Sequence, residues 1–428
     1  VEKFFKLKEH GTTVRTEVMA GITTFMTMAY ILAVNPGILS AAGMPAGGVF
    51  TATALASLIA TLCMALLSNL PIALAPGMGL NAFFAFAVVL GMGYSWQLAL
   101  TAVFVEGVIF ILMSLFNIRE AIVRSIPANI KSAVSVGIGL FIAFIGLQNA
   151  GLVVNNDATL VGLGNITKGA PLLALIGLVI MGVLLIFKVK GALLIGILAT
   201  TIIGIPFGVT VIPKGWNPVS APAAPLLFQF QFDKFFTLDF WIVLFTFLFV
   251  DIFDTIGTLV GVTTQAGLIS KKGEIPRVKE ALLSDAIGTV AGACLGTSTV
   301  TSYIESAAGV AEGGRTGLTS LTTAVLFGVA LFLSPLFLLV PGAATAPALI
   351  LVGLFMLSPV KDLDLKDFSE AIPAFITMLF MPLTYSIAEG LVFGILAYIL
   401  LKLCTGKAKE IPVVTWIVGF FFVLKHVL

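Results

Sequence analysis

The sequence predicts an all-α polytopic membrane protein of about fourteen transmembrane segments in a seven-plus-seven inverted repeat. Two of those segments, the third of each half, are expected to be short pieces of strand joined to half-helices. Three observations predict this. The composition is apolar, long apolar runs recur along the whole chain, and two of the runs lose helical character near 71–90 and 295–312. Of the 428 residues, 59% are hydrophobic and 10% charged, against roughly a quarter charged in a soluble domain. Mean hydropathy is +1.13. In hydrocarbon the backbone must bond to itself, and these runs are too long and too uniformly apolar for the alternating strands of a barrel.

At about 20 apolar residues per span, full spans fall near 16–36, 50–70, 95–116, 129–149, 170–188, 190–210, 238–262, 278–294, 316–340, 342–357, 370–386 and 387–403. The first run follows Lys3, Lys6, Lys8 and Arg15 and contains Thr23, Thr24, Thr27 and Tyr30 without a cleavage site, so it reads as a retained span. The two broken segments start Pro71-Ile-Ala-Leu-Ala-Pro76-Gly77 and Gly296-Thr-Ser-Thr-Val-Thr301. Pro, Gly and β-branched residues there call for extended chain before a short helix. Residues 412–424 are too few to span and stay unassigned.

With the N-terminus in the cytoplasm, Arg119, Arg124, Lys131, Lys188, Lys190, Lys271, Lys272, Arg277, Lys279, Lys402, Lys407 and Lys409 share the cytoplasmic side. Lys168, Lys214 and Lys234 are the exceptions. The expected organisation is a first repeat over 1–212, a linker over 213–237, a second repeat over 238–404 and a C-terminal cytoplasmic or interfacial tail over 405–428. The expected location is the cytoplasmic membrane, with both termini inside. A net charge of +2 without a basic stripe gives nucleic acid nothing to bind. Cys63, Cys294 and Cys404 are odd in number, lack metal-ligand spacing and read as small packing residues.

Carboxylates at mid-bilayer depth are costly and mark pathways or cavities, although some merely tie helices together. Asp251 and Asp254 stand three apart and share a helix face with Thr255 and Thr258. Glu305 follows one broken stretch and Asn81 follows the other. Carboxylates to accept, an amide and free half-helix N–H groups to donate, and apolar walls together suit a neutral heterocycle. Asp254, Glu305 and Asn81 supply that set, and Phe25 or Phe83 are candidates to stack on the ring. Gly77 and Gly79 let the backbone turn and approach closely. Asp285 and Glu106 read equally as support for the site or as helix packing. No metal or cofactor is expected; the coupling ion is a proton, with Asp251, Asp254 and Glu305 as its candidate carriers and Asp285 and Thr255 in support.

The stretches Ala20-Gly-Ile-Thr-Thr-Phe-Met-Thr-Met-Ala-Tyr-Ile31, Gly77-Met-Gly-Leu-Asn-Ala82, Asp251-Ile-Phe-Asp-Thr-Ile-Gly-Thr258, Gly296-Thr-Ser-Thr-Val-Thr-Ser-Tyr-Ile-Glu-Ser-Ala-Ala-Gly309 and Gly313-Gly-Arg-Thr-Gly-Leu-Thr-Ser320 stand in order along the chain. They resemble the AzgA-type adenine/guanine/hypoxanthine permeases, relatives of the uracil and xanthine permeases. The resemblance implies a core domain from spans one to four and eight to eleven, a gate domain from the others, and often a homodimer. It also implies that Asn81, Asp251, Asp254 and Glu305 are the critical polar positions and that Gly79 handles substrate. The expected function is proton-coupled import of purine nucleobases. Two alternatives stand beside it: an anion carrier of the same inverted fold, and an intramembrane aspartyl protease, which would need two acids on facing helices.

Overall fold

The structure is a computed structural model and describes residues 2–116, 127–268 and 275–427. Arg119, Arg124, Lys271 and Lys272 lie outside the described residues. The first half comprises α1 (Val14–Met28), α2 (Ile31–Ala41), α3 (Ala46–Cys63), β1 (Leu74–Pro76), α4 (Met78–Ala82), α5 (Trp96–Leu115), α6 (Ala128–Asn149), the hairpin β2 (Val153–Asn156) and β3 (Leu160–Leu163), α7 (Gly169–Ile186) and α8 (Ala192–Ile203). The second comprises α9 (Leu238–Gln265), α10 (Val278–Leu295), β4 (Val300–Ser302), α11 (Ser306–Ala311), α12 (Gly317–Ala330), α13 (Gly342–Phe355), α14 (Phe368–Leu383), α15 (Ile387–Cys404) and α16 (Val413–Val427). Among the described residues nine helical runs are long and apolar enough to cross a membrane, and Met78–Gly91, Ala192–Ile203 and Phe368–Leu383 are shorter apolar helices.

Both broken segments are extended where the sequence asked for extended chain, and they pair with each other. β1 runs antiparallel to β4, with Leu74 opposite Ser302 and Pro76 opposite Val300. Side chains satisfy what this short ladder leaves over. Thr61 Oγ1 receives a hydrogen bond from Leu74 N (2.9 Å), Ser306 Oγ one from Ala73 N (3.0 Å), and Thr289 Oγ1 donates to Val300 O (2.9 Å). Without such partners each buried backbone group would cost several kcal/mol.

The first span is not one helix over 16–36. It breaks at Ala29–Tyr30, where the ladder tightens to bonds from Leu32 N to Ala29 O and from Ala33 N to Tyr30 O. Just upstream, Thr27 Oγ1 folds back onto Thr23 O and Thr24 O, a bond that bends helices. The run expected over 190–210 stops at Ile203, because Pro206 and the left-handed Gly208 (φ 69°) cannot continue it. Residues 278–294 do form a helix of span length, α10, but it is too polar to count among the nine apolar runs. The unassigned C-terminal stretch is helical as α16 and packs on α15 and α9. Cys63 and Cys294 are half-buried, but Cys404 is exposed, so the packing reading fails for it.

The helices fall into two groups. α6 packs on α13, α14 and α15, whereas α3, α5 and α12 gather round α10, α1 and one another. Contacts at the ends of the bundle sort the loops. Asn69 donates to Phe5 O, Arg277 donates to Leu67 O and Lys190 pairs with Glu312 (2.5 Å) at one end. At the other, Lys234 lies 4.6 Å from the Tyr94 ring centroid and Trp216 donates to Pro335 O. Lys234, an exception to the charge rule, thus shares an end with the loop after the first broken segment. Asp367 caps α14; hydrogen bonds from Ser369 Oγ, Ser369 N and Lys407 hold its carboxyl down to about 2.

One buried carboxylate joins the halves and was not anticipated. Glu17 on α1 is fully buried and accepts from Arg315 N (2.9 Å), Thr316 N (3.2 Å), Thr319 N (3.2 Å) and Thr319 Oγ1 (2.6 Å). It caps α12 from another helix, since the first N–H groups of a helix have no intrahelical acceptor. Glu17→Ala strands those donors at about 1–3 kcal/mol each. The variant should therefore melt well below the wild type in detergent, with Glu17→Gln intermediate; an unchanged melting curve would contradict this role.

Candidate functional site

The β1–β4 pair and the break after α1 bring three distant stretches of chain to one cavity of about 400 Å³. One wall is polar and carries Tyr30, Gly77 to Gly79, Asp254, Thr258 and Thr301 to Glu305. The opposite wall comes from α6 and the end of α13, with Ile138, Val134, Val352 and Phe355 beside Ser132 and Ser135. Lys131, Ser358 and Pro359 stand where those two helices begin and end.

Of the residues singled out from the sequence, Gly79, Asp254 and Glu305 border this cavity. Glu305 is half-buried and sits just before α11; its Oε1 accepts from Tyr30 Oη at 2.6 Å, and its carbonyl accepts from Thr27 Oγ1 at 3.4 Å. Tyr303 Oη donates to Pro76 O at 2.6 Å, so the second broken segment also grips the first. Asp254, likewise half-buried, has no hydrogen-bond partner among the described residues and borders the cavity directly. Gly79 permits the tight crossing with α6: a Cβ there would lie 2.5 Å from Ile138 Cγ2. A Cβ on Gly77 would lie 2.5 Å from Thr301 Cγ2.

The remaining candidates lie behind the wall. Asn81 is fully buried, accepts a short hydrogen bond from Ser298 Oγ and donates to Pro76 O at 3.4 Å. Its amide fastens α4 to the second broken segment and does not border the cavity. Phe83 is fully buried edge-on to Phe247, with centroids 4.9 Å apart, and Phe25 meets Phe327 edge-on at 5.2 Å. Neither ring borders the cavity; both are packed against aromatics of neighbouring helices. Asp251, Thr255 and Asp285 are fully buried and meet one another, with Thr255 Oγ1 in contact with a carboxylate of each aspartate. Glu106 Oε2 accepts from Thr299 Oγ1 at 2.8 Å, which ties α5 to the second broken segment.

Tyr30 and Tyr303 are the site residues that sequence reasoning missed. The signal was available: the chain has five tyrosines, and these two stand in Met28-Ala-Tyr30 and Tyr303-Ile-Glu305. A phenol among apolar residues needs a partner for its hydroxyl.

The sequence profile of the Permease family (Xan_ur_permease) matches residues 15–393. The chain belongs to that family. The guanine/hypoxanthine permease PbuO of Bacillus subtilis is 46% identical over 99% of this permease and 100% of its own length. The adenine permease AdeP of Escherichia coli is 45% identical over 100% of this permease and 96% of its own length. Among solved structures, the transmembrane domain of the cyanobacterial bicarbonate transporter BicA superposes with a TM-score of 0.68 at 18% identity, covering 89% of this permease and 97% of that chain. That likeness establishes the fold of a helical polytopic membrane protein. The resemblance to adenine and guanine/hypoxanthine permeases therefore holds, and the chain is a multi-pass membrane permease and not an enzyme. The protease alternative is overturned, and Asp251 and Asp254 stand on a single helix.

Because Gly79 has no room for a methyl group against Ile138, Gly79→Ala must displace the Ile138 side chain or shift α4 against α6. Uptake by this variant should fall at least about tenfold at normal membrane abundance, the order expected when a small misplacement disturbs a site. Rescue by the added Ile138→Ala substitution, which removes the γ-methyl in the way, would tie the loss to that crossing, and unchanged uptake by the single variant would refute it.

Proposed function

We propose that this permease imports purine nucleobases (adenine, guanine, hypoxanthine) across the cytoplasmic membrane by proton symport. The observation that carries the reading is two carboxylates, Glu305 and Asp254, on one wall of a cavity whose facing wall sets the apolar Val134, Ile138, Val352 and Phe355 beside Ser132 and Ser135. Carboxylates accept the N–H edge of a heterocycle, the first N–H groups of the half-helix that starts at Met78 can donate to its ring nitrogens or carbonyl, and the aliphatic wall covers its face. The cargo named for close relatives, adenine for AdeP and guanine or hypoxanthine for PbuO, belongs to that class.

The cavity lies between the two helix groups, in keeping with a core of spans one to four and eight to eleven working against a gate of the remaining spans. Rocking one group on the other exposes Glu305 and Asp254 to each side in turn. In the present arrangement the cavity runs toward Lys131 and Pro359, on the cytoplasmic side by the charge rule with both termini inside. An anion carrier shares this fold, but two carboxylates on the cavity wall repel an anionic cargo. A second copy of the chain is an expected partner, as a homodimer.

The test is labelled hypoxanthine, guanine and adenine uptake in cells without endogenous purine permeases, with and without an uncoupler and across a pH series. Uptake should be saturable, should fall on uncoupling and should resist competition by sulfate or bicarbonate; indifference to the proton gradient would reject symport. Tyr30→Phe removes the hydroxyl that holds Glu305, about 0.5–1.5 kcal/mol for a typical hydrogen bond, and should weaken apparent affinity several-fold. Glu305→Gln should abolish uptake with surface abundance intact, and wild-type affinity and rate in that variant would overturn the site.

A further inference from the structure

The chain passes between the two helix groups from α5 to α6, from α8 to α9 and from α12 to α13. The first of these connections runs through residues outside the described ones. The other two meet at the end of the bundle that carries Tyr94 and Lys234. The longer of them is sharply divided. Its first part stays with α8, where the buried Thr210 donates through N to Gly204 O (3.0 Å) and through Oγ1 to Thr201 O (2.8 Å). Its last part lies across the ends of the other group as an extended strap. Ala223 O accepts from Thr51 Oγ1 of α3 (2.7 Å), Leu226 N donates to Leu295 O of α10 (2.9 Å), and Gln231 exchanges two bonds of 2.9 Å with Thr101 Oγ1 of α5. Gly296 (φ 98°) makes room for it, since a Cβ there would lie 2.5 Å from Leu226 Cβ. Pro218, Pro222 and Pro225 fix φ and have no N–H to satisfy, so the strap is stiff without regular secondary structure.

Between those parts stand Val211, Ile212, Pro213, Lys214 and Gly215, all exposed and, among the described residues, without a hydrogen bond to either group. Pro213 O accepts from Trp216 N at 3.1 Å and Gly215 is left-handed (φ 75°), so this segment is folded into a turn. Drawn out, it would reach about 17 Å, whereas Leu339, Val340 and Pro341, the whole of the shorter connection, reach about 10 Å. The short connection therefore holds the groups together at one point, and the long one carries slack. Trp216 brings the slack to that same point. Its Nε1 donates at 3.2 Å to Pro335 O, which also accepts from Leu339 N at 3.2 Å, in the last turn before the short connection. Further along the strap, Ser220 N donates to Phe332 O at 3.1 Å.

We propose that the two connections form a single pivot: the groups turn about residues 339–341, residues 211–215 flex to follow, and the strap 216–231 rides with the group round α10 as part of it. The proposal rests on the alternating-access reading above and adds the place where the motion is taken up. Hinges are a few loop or element-terminal residues that absorb the change in φ and ψ, and both segments are of that kind. The indole of Trp216 keeps them in register, because it ties the start of the strap to the last turn before the short connection. A pivot at this end leaves the opposite end, where the cavity runs toward Lys131 and Pro359, to widen and narrow most.

The experiment follows labelled guanine and adenine uptake by the full-length protein in proteoliposomes. The first arm ties the strap down. A Cβ on Gly47 would lie 3.2 Å from Ala223 Cβ, close to the roughly 3.5–4.5 Å that a disulfide spans. Gly47→Cys with Ala223→Cys is therefore oxidised in a background with Cys63, Cys294 and Cys404 changed to serine. Uptake should match that of the reduced form; a loss on oxidation that reductant reverses overturns the proposal. The second arm changes length. Gly-Ser-Gly-Ser inserted after Lys214 should leave uptake within about twofold, whereas the same insertion after Leu339 should lower it at least about tenfold with purine binding retained. Equal effects at the two places overturn the pivot. In the third arm, Trp216→Phe keeps an aromatic ring and removes the indole donor. It should lower the maximal rate about two- to tenfold, the range one hydrogen bond supplies, at unchanged apparent affinity; an unchanged rate in a well-folded variant refutes the tie. If the insertion after Leu339 misfolds by size-exclusion profile, the disulfide and Trp216→Phe decide. Absence of purine uptake by the wild type would instead reject the transport reading itself.

Discussion

A membrane interior supplies no hydrogen-bond partners, so every interrupted segment must find its own. Here two interruptions solve the problem by pairing with each other, β1 against β4. Three residues per strand cannot satisfy all of their neighbours. Thr61, Thr289, Ser306, Tyr303 and Asn81 therefore complete the accounting from the surrounding helices and flanking chain. The cavity follows from this. Both half-helices must start beside the shared ladder, and Met78, Gly79 and Glu305 are thereby delivered to the same place.

The run from Gly296 to Ser302 shows how closely polar side chains are assigned. Thr297 receives from Asn35 (2.9 Å), Ser298 donates to Asn81, Thr299 donates to Glu106 (2.8 Å) and Thr301 meets Thr255. Each of these joins the second half to the first, or β4 to a helix of its own half. Buried polar contacts of this kind add little net energy, yet an unmet partner is expensive. The hydroxyl-rich stretch thus specifies where α4, α5 and α9 stand relative to the ladder more than it stabilises any one of them.

Much of the fold was legible because apolar length and charge are read residue by residue. The expected spans at 50–70, 95–116, 129–149, 170–188, 238–262 and 387–403 lie on helices α3, α5, α6, α7, α9 and α15. The extended character of 71–76 and 296–301 was legible too, from Pro, Gly and β-branched residues. What the sequence could not convey was orientation. Asn81, Phe25 and Phe83 occupy the right segments and face away from the cavity, while Tyr30 reaches it because α1 breaks one residue earlier. Side-chain direction in a broken helix depends on where the break falls, and that depends on bonds such as those of Thr27 and on Pro36 downstream. Glu17 was passed over for a similar reason: its four donors lie about 300 residues away in the chain, so no local pattern announces it.

The same ladder governs how the molecule must be made. Ala73 N bonds to a serine side chain 233 residues further on, and β4 leaves the ribosome after most of the other spans have already been synthesised. Until then the earlier strand has bare amide and carbonyl groups that hydrocarbon will not accept. The nascent first half is thus obliged to keep residues 71–77 in contact with water or with the insertion machinery, and its final seating is a late event in biogenesis, triggered by the arrival of its mate.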